Sequence, residues 1–137
     1  MKRTFTILSL LLSIITISLF EPGALAQTTQ QIAKGNAHHC AQMCADTVKY
    51  CTKKAGKYGE ATVTSTLQEC IASCNAASDS IARGSSYQKK FATIAIEAST
   101  ACAQTCESFK GDKTMESCAN ECRKTASNLQ KVVSSTM

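Results

Sequence analysis

The sequence predicts an all-α protein, an antiparallel up-down-up-down bundle of four helices that follows a short amino-terminal signal. Three observations support this prediction. Long segments without proline are separated by short turns that contain glycine, and apolar or small residues recur every three or four positions within those segments. No run alternates apolar and polar residues as a half-exposed strand would.

The first 26 residues have the pattern of a secretory signal peptide. Lys2 and Arg3 precede an apolar run over 5–20, and small residues lead up to Ala26, where cleavage is expected. The apolar run is short and contains Ser and Thr, which favours a cleaved signal over a retained membrane helix. The domain assignment is therefore a signal peptide over 1–26, and the protein is predicted to be periplasmic or secreted.

The rest of the chain, residues 27–137, is long enough for one small domain with a single core. Without the charged residues of the signal, 13 basic and 9 acidic side chains remain, a net charge of +4. These charges are interspersed, and no basic stripe with interleaved aromatic residues is present, so nucleic acid is not an expected partner. Once the signal is removed, no membrane association is expected.

Each predicted helix has identifiable boundaries. The turns carry the sequences KYGEA, GSS and GDK. Gly35 and Asn36 indicate a break within the first helix, with Asn36 as a second N-cap, and Asp112 is expected to cap the fourth helix. The four helices are predicted over 29–55, 62–83, 86–110 and 113–134.

Every one of the nine cysteines falls on the predicted buried stripe of its helix, at the three- and four-residue spacing of a buried face. In the first helix the stripe is Ala33, Ala37, Cys40, Cys44, Thr47 and Cys51. In the second it is Val63, Leu67, Cys70, Cys74, Ala77 and Ile81. In the third it is Phe91, Ala95, Ala98, Cys102, Cys106 and Phe109. In the fourth it is Met115, Cys118, Cys122, Thr125, Leu129 and Val132.

The thiols are expected to fill one half of the core. At about 1.5 Å per residue, four levels follow, counted from the end with the turns after the first and third helices. The levels are Cys51, Cys106 and Cys118; then Cys70, Cys102 and Cys122; then Cys44 and Cys74; and last Cys40. The other half is predicted to be apolar and to contain Ile32, Ile81, Phe91, Ile94, Leu129, Val132 and Val133.

Disulfides are the first chemistry that so many cysteines suggest in an exported protein. Cysteines one turn apart on a helix are poorly oriented to bond each other, but Cys102–Cys122 and Cys106–Cys118 could staple the third and fourth helices. The twin Cys-x-x-x-Cys hairpin is similar in this respect to that of the small mitochondrial Tim chaperones. A disulfide-stapled helical interaction module without metal is therefore one alternative, although an odd number of cysteines leaves at least one thiol unpaired.

Metal binding is the second chemistry. Soft thiolates favour Cu(I), with Zn(II) and iron–sulfur clusters as competitors. Zinc requires closed sets of four ligands, which Cys102, Cys106, Cys118 and Cys122 could supply, and a zinc-binding bundle stays an alternative. Cu(I) accepts two or three thiolates, and each added ion replaces a thiol proton, so a column of uneven layers suits several Cu(I) ions per chain. Redox catalysis is disfavoured because no Cys-x-x-Cys motif is present.

The segments CAQMCADTVKYC, CIASCNAASDSI and CAQTCESFKGDKTMESCANEC resemble those of the bacterial copper-storage proteins. The resemblance implies a four-helix bundle whose core binds many Cu(I) ions and an exported protein that holds copper outside the cytoplasm. It also implies nine thiolate ligands: Cys40, Cys44, Cys51, Cys70, Cys74, Cys102, Cys106, Cys118 and Cys122. The function expected is copper sequestration without enzymatic turnover.

Few other side chains are candidates for copper chemistry. Met115 is predicted to point inward one turn before Cys118, either as a thioether ligand on the way into the core or as a packing residue. Met43 is expected to pack on the flank of the thiol stripe, and His38 and His39 are expected on the surface. Copper ions are the expected partners, and a homo-oligomer is compatible with the sequence.

Overall fold

The computed structural model describes residues 22–135, with side chains from Gln27 onward. The elements are α1 (Pro22–Lys54), a four-residue 3₁₀ turn (Gly56–Gly59), α2 (Ala61–Ala82), α3 (Gln88–Glu107) and α4 (Lys113–Ser134). Each helix packs mainly against two neighbours: α1 against α2 and α4, and α3 against α2 and α4. The predicted antiparallel four-helix bundle is confirmed, and the described residues form no strand.

The predicted signal peptide lies mostly outside the described residues. Its cleavage, and the export that depends on it, remain predictions. Residues 22–26 belong to the first turns of α1. Within the described part of the chain, no helix combines the length and hydropathy that crossing a membrane requires.

The predicted break at Gly35 and Asn36 is wrong, since α1 continues through both residues. A glycine inside a helix costs about 1 kcal/mol relative to alanine, and tertiary contacts outweigh this cost here. Thr125 of α4 donates a hydrogen bond to the carbonyl oxygen of Asn36, and Asn128 donates to the Asn36 side chain at 2.5 Å. Asn36 is therefore held by α4 and does not cap a second helix.

The buried faces of α1, α2 and α4 are those predicted, and α3 differs. Its buried face consists of Gln88, Ala92, Ala95, Ser99, Cys102, Ala103 and Cys106. Phe91 and Ala98 lie one position away from this face, and Phe91 is exposed. The prediction favoured the larger apolar side chain, whereas the face that continues from Cys102 contains small residues.

The apolar half of the core is correspondingly smaller than predicted. Ile81, Leu129 and Val132 are buried and Val133 is half-buried, but Ile32 is 51% exposed and Ile94 is 52% exposed. Alanines occupy the space instead: Ala33, Ala37, Ala77, Ala92 and Ala95 are all fully buried. Contact between copies of the chain would cover exposed apolar side chains such as Ile32 and Ile94, but a homo-oligomer stays a prediction.

Candidate metal centre

All nine cysteines are fully buried free thiols in the centre of the bundle. They lie in the half nearer the turns 55–60 and 108–112, which we call the two-turn end. No pair forms a disulfide, although every cysteine of the chain is among the described residues. The structure therefore does not support the stapled pairs Cys102–Cys122 and Cys106–Cys118.

Two overlapping groups of four thiols form the middle of this column. The upper group, nearer the two-turn end, is Cys44, Cys102, Cys118 and Cys122; the lower group is Cys40, Cys44, Cys70 and Cys122. Within each group all four sulfur atoms lie within 4.8 Å of one another. Cys44 and Cys122 belong to both groups, and we call them the shared thiols.

The shared thiols make most of the close sulfur–sulfur contacts. The Cys44 sulfur lies 3.8 Å from those of Cys102 and Cys118, and 3.7 Å from that of Cys122. The Cys122 sulfur also lies 3.6 Å from the sulfur of Cys40, a residue that is one turn deeper than Cys44 on α1. The two groups are thus one continuous sulfur cluster to which all four helices contribute.

The order of the levels differs from the predicted one. Cys44 lies with Cys102 and Cys118, although it was predicted one level beyond Cys102 and two beyond Cys118, and Cys40 lies 3.9 Å from Cys70. For Cys40 and Cys70 the physical reason is the 3₁₀ turn between α1 and α2, which packs against α1 with Gly59 near the Cys51 carbonyl oxygen. Because this turn lies beside α1 before α2 begins, α2 starts deeper along the bundle than a simple count of residues predicts.

Three cysteines extend the cluster at its ends. Cys74 lies 3.9 Å from Cys70 and is the deepest. Cys106 is fully buried one turn from Cys102 on α3, toward the two-turn end, which puts it next to the upper group. Cys51 lies nearest the two-turn end and donates to the Met115 sulfur at 3.6 Å.

Thiol–thiol hydrogen bonding divides the protons of the cluster unequally. The pKa of Cys118 in the upper group and that of Cys70 in the lower group are held below the ordinary value, in each case chiefly by hydrogen bonding with Cys102. Hydrogen bonding with Cys122 is the main reason that the pKa of Cys40 is lowered to about 5. The pKa values of both shared thiols are raised, with Cys102 again the main cause. In each four-thiol group, hydrogen bonds from neighbouring thiols therefore favour the thiolate at one or more positions, and the thiolate is the form in which cysteine binds a metal.

An aromatic cap covers the two-turn end of the column. The Tyr58 ring, from the 3₁₀ turn, lies 4.4 Å from the Phe109 ring and 6.0 Å from the Tyr50 ring. The Lys54 ammonium lies 4.1 Å from the centre of the Tyr58 ring and 2.7 Å from an Asp112 carboxylate oxygen. The cap separates the thiols at this end from solvent.

Asp112 is the N-cap of α4, as predicted. It accepts hydrogen bonds from the backbone N–H groups of Thr114 and Met115, and Tyr50 donates to the same carboxylate at 2.6 Å. These bonds set the first turn of α4 and hold Met115 beside Cys51. The carboxylate joins the helix end, the aromatic cap and the outermost sulfur atoms.

Replacing Asp112 with alanine is expected to destabilise the bundle by about 1–2 kcal/mol, because it removes an N-cap and an interhelical ion pair together. Lys54 and then Tyr50 hold the pKa of this carboxyl below its usual range. The contribution of Asp112 is therefore present above about pH 4, the pKa in the unfolded chain, and is lost as the pH falls below it. Chemical unfolding of Asp112→Ala and wild type across this range measures both effects.

Asp46→Ala is the matched control. Asp46 forms an exposed ion pair with Lys49, and the loss of this pair should lower the free energy of unfolding by less than about 1 kcal/mol.

The remaining predicted side chains lie outside the sulfur cluster. Met43 is half-buried against the core, as predicted. His38 and His39 are on the surface, where His39 pairs with Glu121 at 3.0 Å and His38 bonds with Gln42. Ser99, which was not predicted to be part of the site, is fully buried against Cys70 and Cys74.

Comparison with known proteins agrees with this geometry. The family model described as "Csp: Copper storage protein" matches residues 26–134. The chain belongs to the copper storage protein family. A crystal structure of the Nmul_A1745 protein from Nitrosospira multiformis has a similar fold, with a TM-score of 0.73 and 26% identity over 77% of this chain and 95% of the other. No curated protein matches the chain.

Membership of the copper storage family accounts for a core that has sulfur atoms where most bundles have branched aliphatic side chains. The family assignment covers all four helices and all nine cysteines.

Proposed function

We propose that this member of the copper storage family binds several Cu(I) ions through its core thiolates and stores them. The observation that carries the proposal is the pair of four-thiol groups joined through Cys44 and Cys122, in which four helices bring fully buried sulfur atoms within 4.8 Å of one another. Thiolates at this spacing can bridge neighbouring Cu(I) ions, and a continuous cluster can hold more ions than isolated sites.

The charge of the core supports Cu(I) over Zn(II). The buried polar side chains among the described residues are Thr47, Ser78, Ser80, Gln88, Ser99 and Thr125, none of them charged. Four thiolates around one Zn(II) leave two uncompensated negative charges, which are costly to bury. One Cu(I) for each thiolate leaves the core neutral, so copper can fill the column without accumulating charge.

The cysteines at the two ends have different proposed roles. Cys51 with Met115 forms a thiolate–thioether pair beneath the aromatic cap, suited to receive Cu(I) before it moves inward. Cys106 and Cys74 lie beside the upper and lower groups and extend the column in both directions. All nine cysteines are thus proposed as ligands, and Met115 as a ligand on the way in.

Storage rather than turnover is proposed because the thiols are enclosed. All nine cysteines have no exposed surface, so an organic substrate has no approach to the sulfur atoms, whereas a bare ion needs only a small opening of the cap. The predicted signal peptide supports storage outside the cytoplasm, in the periplasm or in the secreted protein. There the thiols must be kept reduced, which copper binding itself would favour.

An anaerobic Cu(I) titration against a competing chelator, combined with a count of reactive thiols, tests the proposal. The unfolded, unreduced protein should show nine thiols, and the folded protein should take up several Cu(I) ions that the chelator does not remove. A disulfide-stapled module would show about one thiol, and a zinc protein would saturate at about one or two metal ions per chain.

A variant with both surface histidines replaced, His38→Ala with His39→Ala, is the control for adventitious binding. Both side chains lie on the exterior, so the number of chelator-resistant Cu(I) ions should equal that of wild type. A clear loss in this variant would place copper on the surface and contradict core storage.

A further inference from the structure

Ser99 lies at the inner end of the sulfur column. It is fully buried on α3, and its Oγ lies 3.4 Å from the Cys74 sulfur and 3.7 Å from the Cys70 sulfur. These two sulfur atoms are the hydrogen-bond partners of the hydroxyl. A polar group in a core made mostly of thiols and apolar side chains is costly to bury unless it is bonded, so these contacts explain how the hydroxyl is accommodated.

Ser99 occupies the position where α3 would supply a cysteine to the lower group. At this level α1 supplies Cys40, α2 supplies Cys70 and α4 supplies Cys122. On α3, Cys102 belongs to the level above, and Ser99 lies one turn deeper on the same face. Three helices thus provide sulfur and the fourth provides a hydroxyl.

The next two positions on the buried face of α3 carry no metal-binding side chain. Ala95 and Ala92 continue the buried face beyond Ser99, both fully buried. The change from cysteine through serine to alanine along a single helix face marks the point where the column of possible ligands ends.

A hydroxyl oxygen is a poor ligand for Cu(I), which prefers soft sulfur, but the O–H group is a good donor to a thiolate. Ser99 can therefore donate to the sulfur of Cys74 or Cys70 once that sulfur has lost its proton to bind copper. Such a bond directs the sulfur lone pairs that remain free toward the ion. No ion is expected to bind the hydroxyl itself.

We infer that Ser99 is a positioning residue that terminates the copper column and limits its capacity, an inference that rests on the proposed storage of Cu(I). Its hydroxyl orients the innermost thiolates, Cys74 and Cys70, and its lack of sulfur prevents the lower group from holding a further ion.

Ser99→Cys is the decisive variant, since it replaces oxygen by sulfur with little change in shape. It should bind about one Cu(I) ion more per chain than wild type in the anaerobic titration. Ala101→Cys is the matched control, because it also adds a tenth thiol to α3 but at an exposed position, and its chelator-resistant copper should equal that of wild type.

Ser99→Ala tests the hydrogen bond separately. The number of ions should stay near the wild-type value, while the most weakly held ion should bind about tenfold more weakly, as expected for loss of a hydrogen bond to a charged group. In a Cys74→Ala background most of this effect should disappear, which a general packing defect would not reproduce. Thermal unfolding of each metal-free variant reports on the fold independently of copper.

The inference is overturned if Ser99→Cys binds no more copper than Ala101→Cys, or if Ser99→Ala keeps wild-type affinity for every ion. In both results wild type still binds copper, so the proposed storage function survives. Should wild type itself bind no Cu(I), the storage function fails, and the inference about Ser99 fails with it.

Discussion

Replacing Cys122 with alanine is expected to remove more copper capacity than replacing any cysteine at the ends of the column. Cys122 belongs to both four-thiol groups and lies 3.6 Å from Cys40 and 3.7 Å from Cys44. Its loss reduces both groups to three sulfur atoms and leaves Cys44 as the one thiol that they share. The variant should lose about two or more chelator-resistant Cu(I) ions per chain, measured by anaerobic titration.

Cys51→Ala is the matched control for this prediction. Cys51 is equally buried but belongs to neither four-thiol group, and its recorded sulfur contact is with Met115. It should lose about one ion at most, together with a slower rate of uptake if it receives copper first. Equal losses in Cys122→Ala and Cys51→Ala would mean that the ions bind independently along the column, and the shared-thiol arrangement would have no special importance.

Copper loading is expected to raise the melting temperature of the bundle by about 15 °C or more. Metal that binds only the folded state stabilises it by about 4 kcal/mol when free metal is a thousandfold above the dissociation constant. Each kcal/mol shifts the midpoint of a domain of this size by roughly 4 °C or more. Anaerobic thermal unfolding followed by circular dichroism, at a free Cu(I) concentration set by a chelator, measures the shift.

The composition of the core is the reason for expecting such a large effect. The largest fully buried side chains among the described residues are Leu67, Met115, Leu129 and Val132, and small residues and thiols occupy most of the remaining core. The metal-free bundle therefore buries little aliphatic surface for its length, and thiolate–copper bonds across four helices would supply the missing cross-links.

The double variant Cys44→Ala with Cys122→Ala is the control for this stabilisation. It lacks both shared thiols, so copper should raise its melting temperature much less than that of wild type. An unchanged melting temperature for loaded wild type would show that copper does not bind the folded core.

Several features of the fold could be predicted because they depend on local chemistry. The stripes of α1, α2 and α4 have a three- and four-residue period, and the structure buries every residue assigned to them. Asp112 precedes a helix and caps it, as its short carboxylate side chain favours. The inward direction of all nine cysteines followed from the same periodicity.

Other features depended on interactions between distant parts of the chain. Gly35 and Asn36 resemble a helix boundary, but Thr125 and Asn128 of α4 hold that segment helical. Phe91 is more apolar than Ala92, yet Ala92 is fully buried and Phe91 is exposed, because the face that continues from Cys102 through Ser99 and Ala95 is the one that packs inward. Local preference was overruled in both cases by packing.

The amino-acid sequence alone determined which residues carry sulfur, that these residues face inward, and that four helices present them, because helical periodicity is a property of each segment by itself. Only the tertiary structure decided which sulfur atoms meet. The relative heights of the helices place Cys70 beside Cys40, make Cys44 and Cys122 common to two groups, and put Ser99 against Cys70 and Cys74. Vertical offsets between helices depend on how the turns fold against their neighbours, and the spacing of residues within a helix contains no information about them.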